Sequence, residues 1–293
     1  MTNNHSSESH AIAGSASTNI MIFTDLDGTL LNHHDYSFTP ALPVLQAIKR
    51  HNIPLIPATS KTFAELIELR RKIGLDGPFI IENGAAVCIP DNYLPNIPDT
   101  CVKKGEYWFK EFVTGRDYWI QALTQIAPQY PNQFLQFSKM SITQICEATG
   151  LDECSAELAA QRQYGEPILW TGSDSQKQAF IKDLIARDIT VQEGGRFIHL
   201  SGDANKGDAL RWFLAEYQTQ FSQKPCLSIA LGDGKNDIAM LEAADISVRI
   251  LSPCNHPPTL TKQKNVMTST EPGPLGWSQC LREIFKQYAP EVL

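Results

Sequence analysis

The sequence predicts an α/β chain built on a doubly wound parallel sheet, with a separate α+β unit inserted in its middle. Three observations carry this expectation. Residues 19–84 alternate short apolar runs with amphipathic helical stretches, the pattern of a parallel sheet covered on both faces. The same rhythm resumes after Ser201. Between the two, it breaks into a Pro-, Asn- and Asp-rich stretch, several helical patterns and a Gly-Gly turn signal.

The elements follow in order. Residues 20–24, Ile-Met-Ile-Phe-Thr, read as a strand, and 40–51 as a helix with Leu42, Leu45 and Ile48 on one face. A second strand is predicted over 53–58 and a helix over 62–73, with Gly74 as its C-cap. A third strand over 78–82 closes on Asn83-Gly84. Helical patterns then lie near 116–127, 140–149 and 154–163, a strand at 168–171 and a helix over 173–187 with Ser173 or Asp174 as N-cap. Strands at 190–193 and 196–200 flank Gly194-Gly195, a hairpin signal. After it come a helix at 206–218, strands at 226–231 and 246–250 around a short helix at 237–243, a loop over 252–274 and a last helix at 277–287. The expected division is 1–18 as a disordered extension, 19–87 and 202–293 as the parallel core, and 88–201 as the insertion.

Composition narrows the function. The chain has 293 residues, 42% hydrophobic and 19% charged, enough for two units with sizeable cores. Its net charge is −7 with scattered Lys and Arg, which argues against nucleic-acid binding. No apolar run is long enough to span a bilayer, and the first 18 residues lack the apolar stretch of a signal peptide. Seven dispersed cysteines without Cys-x-x-Cys fit reduced thiols in a cytoplasmic protein.

The chemistry concentrates at two strand ends. Asp25 and Asp27 close the first strand two residues apart and project to the same side; Gly28 lets the chain turn behind them. Gly232-Asp233-Gly234-Lys235-Asn236-Asp237 closes another strand with more carboxylates. Clustered negative charge is unstable unless a cation or a shared proton offsets it, and two acidic strand ends in one α/β chain suggest a single Mg²⁺ site. Thr59 stands at a third strand end, where ligands bind in open α/β sheets, and Lys206 opens a helix. Read singly, Lys206 also fits a surface lysine, Thr59 or Ser60 a cap for the next helix, and Asp237 a cap for the helix after it.

Asp25–Thr29, Thr59, Lys206 and Gly232–Asp237, in that order, resemble the motifs of the haloacid dehalogenase-like (HAD) phosphohydrolases. The resemblance implies a Rossmann-type core with a cap domain, and roles for each residue. Asp25 would be the nucleophile forming an aspartyl-phosphate, and Asp27 the general acid and base. Mg²⁺ would be held by the Asp25 carboxylate, the Asp27 carbonyl and Asp233. Thr59 and Lys206 would bind the phosphoryl group, with Asn236 beside it and Asp237 orienting the shell.

Four further stretches, Thr59-Ser60-Lys61-Thr62, the run 78–85 and two cap patterns around Arg162–Pro167 and Gly194–His199, are similar to mannosyl-3-phosphoglycerate phosphatases. That implies release of phosphate from mannosyl-3-phosphoglycerate to give mannosylglycerate, a compatible solute, with glucosyl-3-phosphoglycerate as a second substrate. Another capped phosphatase, acting on sucrose-phosphate or hexose phosphates, is the alternative. A phosphorylated sugar-glycerate carries a carboxylate for Arg162, Arg196 or Lys61, and hydroxyls for Glu166 and His199. By spacing alone, Arg162 and Glu166 fit a surface i,i+4 ion pair equally well, and His199 a structural histidine.

Overall fold

A computed structural model describes residues 19–194, 196–221, 225–253 and 256–293. The expected extension at 1–18, and Gly195 of the Gly-Gly turn, lie outside the described residues. The first half of the core forms as its apolar periodicity dictates. Strand β1 (Asn19–Thr24) is buried from Ile20 onward. Helix α1 (Leu42–Arg50) buries Val44, Leu45, Ala47 and Ile48. After β2 (Leu55–Pro57), α2 (Phe63–Ile73) starts at Thr62 with a reciprocal Thr62–Glu65 capping box and stops at Gly74, whose φ of 82° only glycine adopts readily. Neither Thr59 nor Ser60 is the cap. Strand β3 (Phe79–Ile81) follows.

The next stretch differs from expectation. Strands β4 (Ala86–Pro90), β5 (Val102–Lys104) and β6 (Tyr107–Glu111) pair antiparallel with one another and with β3. The Pro-, Asn- and Asp-rich stretch is mostly the connection between β4 and β5. Val87, Cys88, Ile89 and Phe109 pack into the two apolar clusters that flank the parallel sheet. The expected boundary at 87/88 therefore cuts through β4, and apolar packing continues into the core as far as Phe112 and Val113.

The insertion comprises α3 (Arg116–Ile126), β7 (Phe134–Gln136), α4 (Ile142–Thr149), α5 (Glu153–Ala160), β8 (Glu166–Trp170), α6 (Asp174–Ile185), β9 (Val191–Gly194) and β10 (Phe197–Leu200). Its sheet runs β7-β8-β10-β9, all antiparallel. Ser173 caps α6. One face of this sheet packs Ile168, Ile198 and Leu200 under α3 and α6; the other meets Phe137, Ile145 and Ala156 of the α4–α5 side.

The chain then re-enters the core with α7 (Lys206–Phe221), β11 (Cys226–Gly232), α8 (Ile238–Ala243), β12 (Ile246–Leu251), β13 (Val266–Pro272) and α9 (Gly273–Tyr288). The central sheet has the order β13-β12-β11-β1-β2, and every pair is parallel. β13 corrects the loop expected over 252–274. It is an edge strand whose residues, Val-Met-Thr-Ser-Thr-Glu-Pro, are mostly exposed, so it lacks the apolar run of its neighbours. β1 sits between β11 and β2, so Asp25, Asp233 and Thr59 emerge at adjacent carboxyl ends.

Candidate active site

Asp25 continues the register of β1, its N–H donating to the Leu231 carbonyl at 2.9 Å. The Thr24 hydroxyl before it accepts from the Trp277 indole N–H of α9 at 3.0 Å. Behind Asp27 the chain folds into a tight turn, with Gly28 N–H donating to Leu31 O and Leu31 N–H to Leu26 O. Gly28 has φ of 80°, and a Cβ there would lie 2.7 Å from Asp233 Oδ2. Glycine is thus required both for the turn and for the close approach of the two acidic loops. The Thr29 hydroxyl donates to Asp233 Oδ1 at 3.1 Å, and a side-chain hydrogen bond from Ser252 also acts on Asp233.

Lys206 reaches this point because Asn205 caps α7: its Oδ1 accepts from Asp208 N–H at 2.9 Å. The buried ammonium lies 2.6 Å from Asp25 Oδ1 and 2.7 Å from Asp237 Oδ1. The other Asp237 oxygen accepts from the N–H groups of Asp233 and Gly234 at 3.1 and 2.9 Å. Both oxygens of Asp237 are thereby committed, which leaves Asp25 and Asp233 to present oxygens to a ligand.

The electrostatics follow from burial. Carboxylate oxygens of Asp25, Asp233 and Asp237 lie within 4.8 Å of one another, with Lys206 as the cation among them. Burial, and then the Asp237 charge, push the Asp25 carboxyl well above the usual range, against the pull of Lys206. Asp233 is raised for the same two reasons. Burial alone would lower Lys206, but Asp237 and Asp25 outweigh it and hold the amine charged. Buried oxygen donors with surplus negative charge suit a hard divalent cation, so the residues present fit the expected metal.

Asp27 is half-buried beside this cluster. Its Oδ2 pairs with Lys61 Nζ at 2.9 Å, while Oδ1 is buried without a hydrogen-bond partner. Lys61 is in turn 3.9 Å from Glu65 and lies over the Tyr36 ring. Thr59 is buried, its hydroxyl accepting from Lys61 N–H at 3.2 Å. Asn236 Nδ2 donates to Asn83 Oδ1 at 3.1 Å. The structure therefore gathers Asp25, Asp27, Thr59, Lys61, Lys206, Asp233, Asn236 and Asp237 at one end of the sheet.

The residues expected in the insertion are dispersed. Arg162 and Glu166 do not form the i,i+4 pair, because no helix spans them. Arg162 donates to the Ser60 carbonyl at 3.1 Å and lies 3.4 Å from Glu82. Glu166 is fully buried, bound by Arg116 and by the N–H and hydroxyl of Ser138. Arg196 is exposed and donates to the Ala148 carbonyl at 2.8 Å. His199 is half-buried on β10, its ring 6.2 Å from that of Phe197. Sequence reasoning missed Thr29, Glu82, Asn83, Arg116 and Ser252. Thr29 stood inside a motif already noted; the pairing of Arg116 with Glu166, 50 positions apart, left no local signal.

Comparison with known proteins is consistent with this geometry. Residues 22–104 and 166–265 match the model of a family described as haloacid dehalogenase-like hydrolase. A glucosyl-3-phosphoglycerate/mannosyl-3-phosphoglycerate phosphatase of Persephonella marina is 35% identical over 276 residues, covering 92% of this chain and 98% of that protein. A protein of the same name from Methanococcoides burtonii is 33% identical over 264 residues, covering 90% and 96%. Among solved structures, a Thermotoga maritima protein superposes with a TM-score of 0.62 at 15% identity over 90% of this chain and 97% of its own. A HAD subclass IIB sugar phosphatase superposes with a TM-score of 0.59 at 14% identity over 91% and 99%. Both structures share the fold.

Proposed function

The chain belongs to the haloacid dehalogenase-like hydrolases, and on that premise we propose that it is a Mg²⁺-dependent phosphatase of mannosyl-3-phosphoglycerate, accepting glucosyl-3-phosphoglycerate as well. The relatives that carry this activity in their names match nearly the whole chain, insertion included. In this reading the elements between Val113 and Ser201 are the cap that selects the leaving group.

Asp25 supplies the nucleophile. One of its oxygens attacks phosphorus, the bond from phosphorus to the glycerate oxygen breaks, and that oxygen takes a proton from Asp27. Lys61 holds Asp27 Oδ2 at 2.9 Å and leaves Oδ1 without a protein partner, as the donor to a leaving oxygen should be. Water then attacks the phosphorus of the aspartyl-phosphate, Asp27 takes its proton, and the phosphorus–Asp25 bond breaks. Lys206 and the Thr59 hydroxyl face the negative charge on the phosphoryl oxygens. Mg²⁺, held by Asp25, Asp233 and the Asp27 carbonyl, would neutralise the approach of one anion to another. Asp237 keeps Lys206 and the 233–234 backbone in place. Lys61, beside the Asp27 that protonates the glycerate oxygen, is by its position the candidate for the glycerate carboxylate.

The test is phosphate release from mannosyl- and glucosyl-3-phosphoglycerate, sucrose-phosphate and hexose phosphates, with Asp25→Asn as control. Preference for the two phosphoglycerates, abolished by chelator and by Asp25→Asn, is the expected result. A preference for sucrose-phosphate or a hexose phosphate would replace the substrate while leaving the chemistry; full turnover by Asp25→Asn would overturn the chemistry.

A further inference from the structure

Glu82 is a buried carboxylate outside the reacting cluster, and its backbone is strained. It and Asn83 both have positive φ, 45° and 60°, a conformation unfavourable for residues with a Cβ and found most often where function or tight contacts enforce it. The side chain shows what holds it there. Oε1 accepts from Gln163 N–H at 2.7 Å, and Oε2 from Tyr164 and Gly165 N–H at 3.2 and 2.8 Å. Arg162 Nε lies 3.4 Å away. One core carboxylate thus takes up three successive amides, 163–165, of the link that joins α5 to β8 within the insertion. Gln163 O in turn accepts from Arg116 N–H at 2.7 Å, so the entry from the core into α3 rests on the same link.

The turn that carries Glu82 also touches the reacting groups. Its N–H donates to Lys61 O at 3.0 Å, and Asn83 N–H to Thr59 O at 2.8 Å. The Asn83 side chain accepts from Asn236 of the 233–237 loop. Glu82 and Asn83 therefore stand between the α5–β8 link on one side and Lys61, Thr59 and Asn236 on the other.

We propose that Glu82 is a positioning residue for the phosphatase reaction, clasping the α5–β8 link at 163–165 and coupling the seating of the cap to the order of the 233–237 loop through Asn83. This rests on the reading of the insertion as a cap that selects a sugar-phosphoglycerate. Both Glu82 oxygens act as acceptors toward N–H groups, so Glu82→Gln must turn an NH₂ toward at least one amide donor.

The variant is to be compared with wild type by hydrogen exchange and by steady-state kinetics, with Mg²⁺ present throughout. Amides 163–165 should exchange about tenfold faster or more, the worth of one charge-assisted hydrogen bond, and amides 234–237 should exchange faster with them. Turnover of the phosphoglycerate should fall about tenfold in kcat/KM, whereas 4-nitrophenyl phosphate, too small to need the cap, should change less than about threefold. Unchanged exchange at 163–165 would overturn the clasp. Faster exchange there without change at 234–237 would overturn the coupling, and equal losses on both substrates would overturn a role that depends on the cap. If the Gln variant does not fold, Glu82→Asp, which keeps the charge but shortens the reach, carries the same comparison. If wild type prefers another sugar phosphate, the substrate reading fails separately, and the kinetic comparison is made on that compound.

Discussion

Lys206 bonds two carboxylates inside a buried cluster, and it is the residue whose loss should be felt most widely. Lys206→Met would leave Asp25 and Asp237 facing one another without their cation, and removing one partner of a buried ion pair costs about 3–5 kcal/mol. Urea unfolding without divalent ions should show a loss of that size, along with loss of turnover. A loss under about 1 kcal/mol would mean water reaches the cluster. The raised carboxyls of Asp25 and Asp233 make a second prediction. Their folded forms hold protons more tightly than the unfolded chain does, so their stabilising contribution is present below the unfolded carboxylate range. It is withdrawn as pH rises through the folded values. A divalent cation takes over where the proton leaves. The rise in Tm on adding Mg²⁺ should therefore be larger near pH 7 than near pH 5, and an equal rise at both would count against these two carboxylates as the ligands.

Helices α7 and α8 meet so closely at Gly207 that a Cβ there would lie 2.3 Å from the Ala239 carbonyl oxygen. On an open helix Gly→Ala gains about 1 kcal/mol. Here Gly207→Ala should instead destabilise and, by pushing α7 outward, shift the adjacent Lys206 and reduce kcat at least about tenfold. A gain in Tm with unchanged kcat would show that the helices part freely. The same element scale explains what could be read from the chain. β1, β11 and the helices between core strands announce themselves by apolar periodicity, and Asp25, Asp27, Asp233 and Asp237 lie within a few residues of a strand end. β4, β5 and β6 were hidden by the polar connection that interrupts them, and β13 by its exposed edge position. Arg162 and Glu166 misled for a different reason: their partners, Glu82 and Arg116, are distant in sequence, and spacing records only neighbours.

The insertion enters and leaves the core at one place, since a Cβ on Gly202 would lie 3.1 Å from Val113 Cγ1. Joining 113 to 202 by a short Gly-Ser link should therefore preserve the parallel sheet with its two flanking clusters. We expect that shortened protein to hydrolyse 4-nitrophenyl phosphate in a Mg²⁺-dependent way but to lose discrimination among sugar phosphates. Retained discrimination would move specificity into the core. The position of β1 in the sheet has a consequence during synthesis. The register sets Asn19 beside Cys226, so the strand translated first among the described elements waits for a neighbour translated after the entire insertion. Until then Ile20-Met21-Ile22-Phe23 has an apolar open edge toward the missing strand, a surface for nascent chains to stick by. The wait also has a useful side. Lys206 and Asp233 arrive with that late segment, so no partly made chain on a ribosome can assemble the reacting cluster, and the nucleophile is armed only when the sheet is closed.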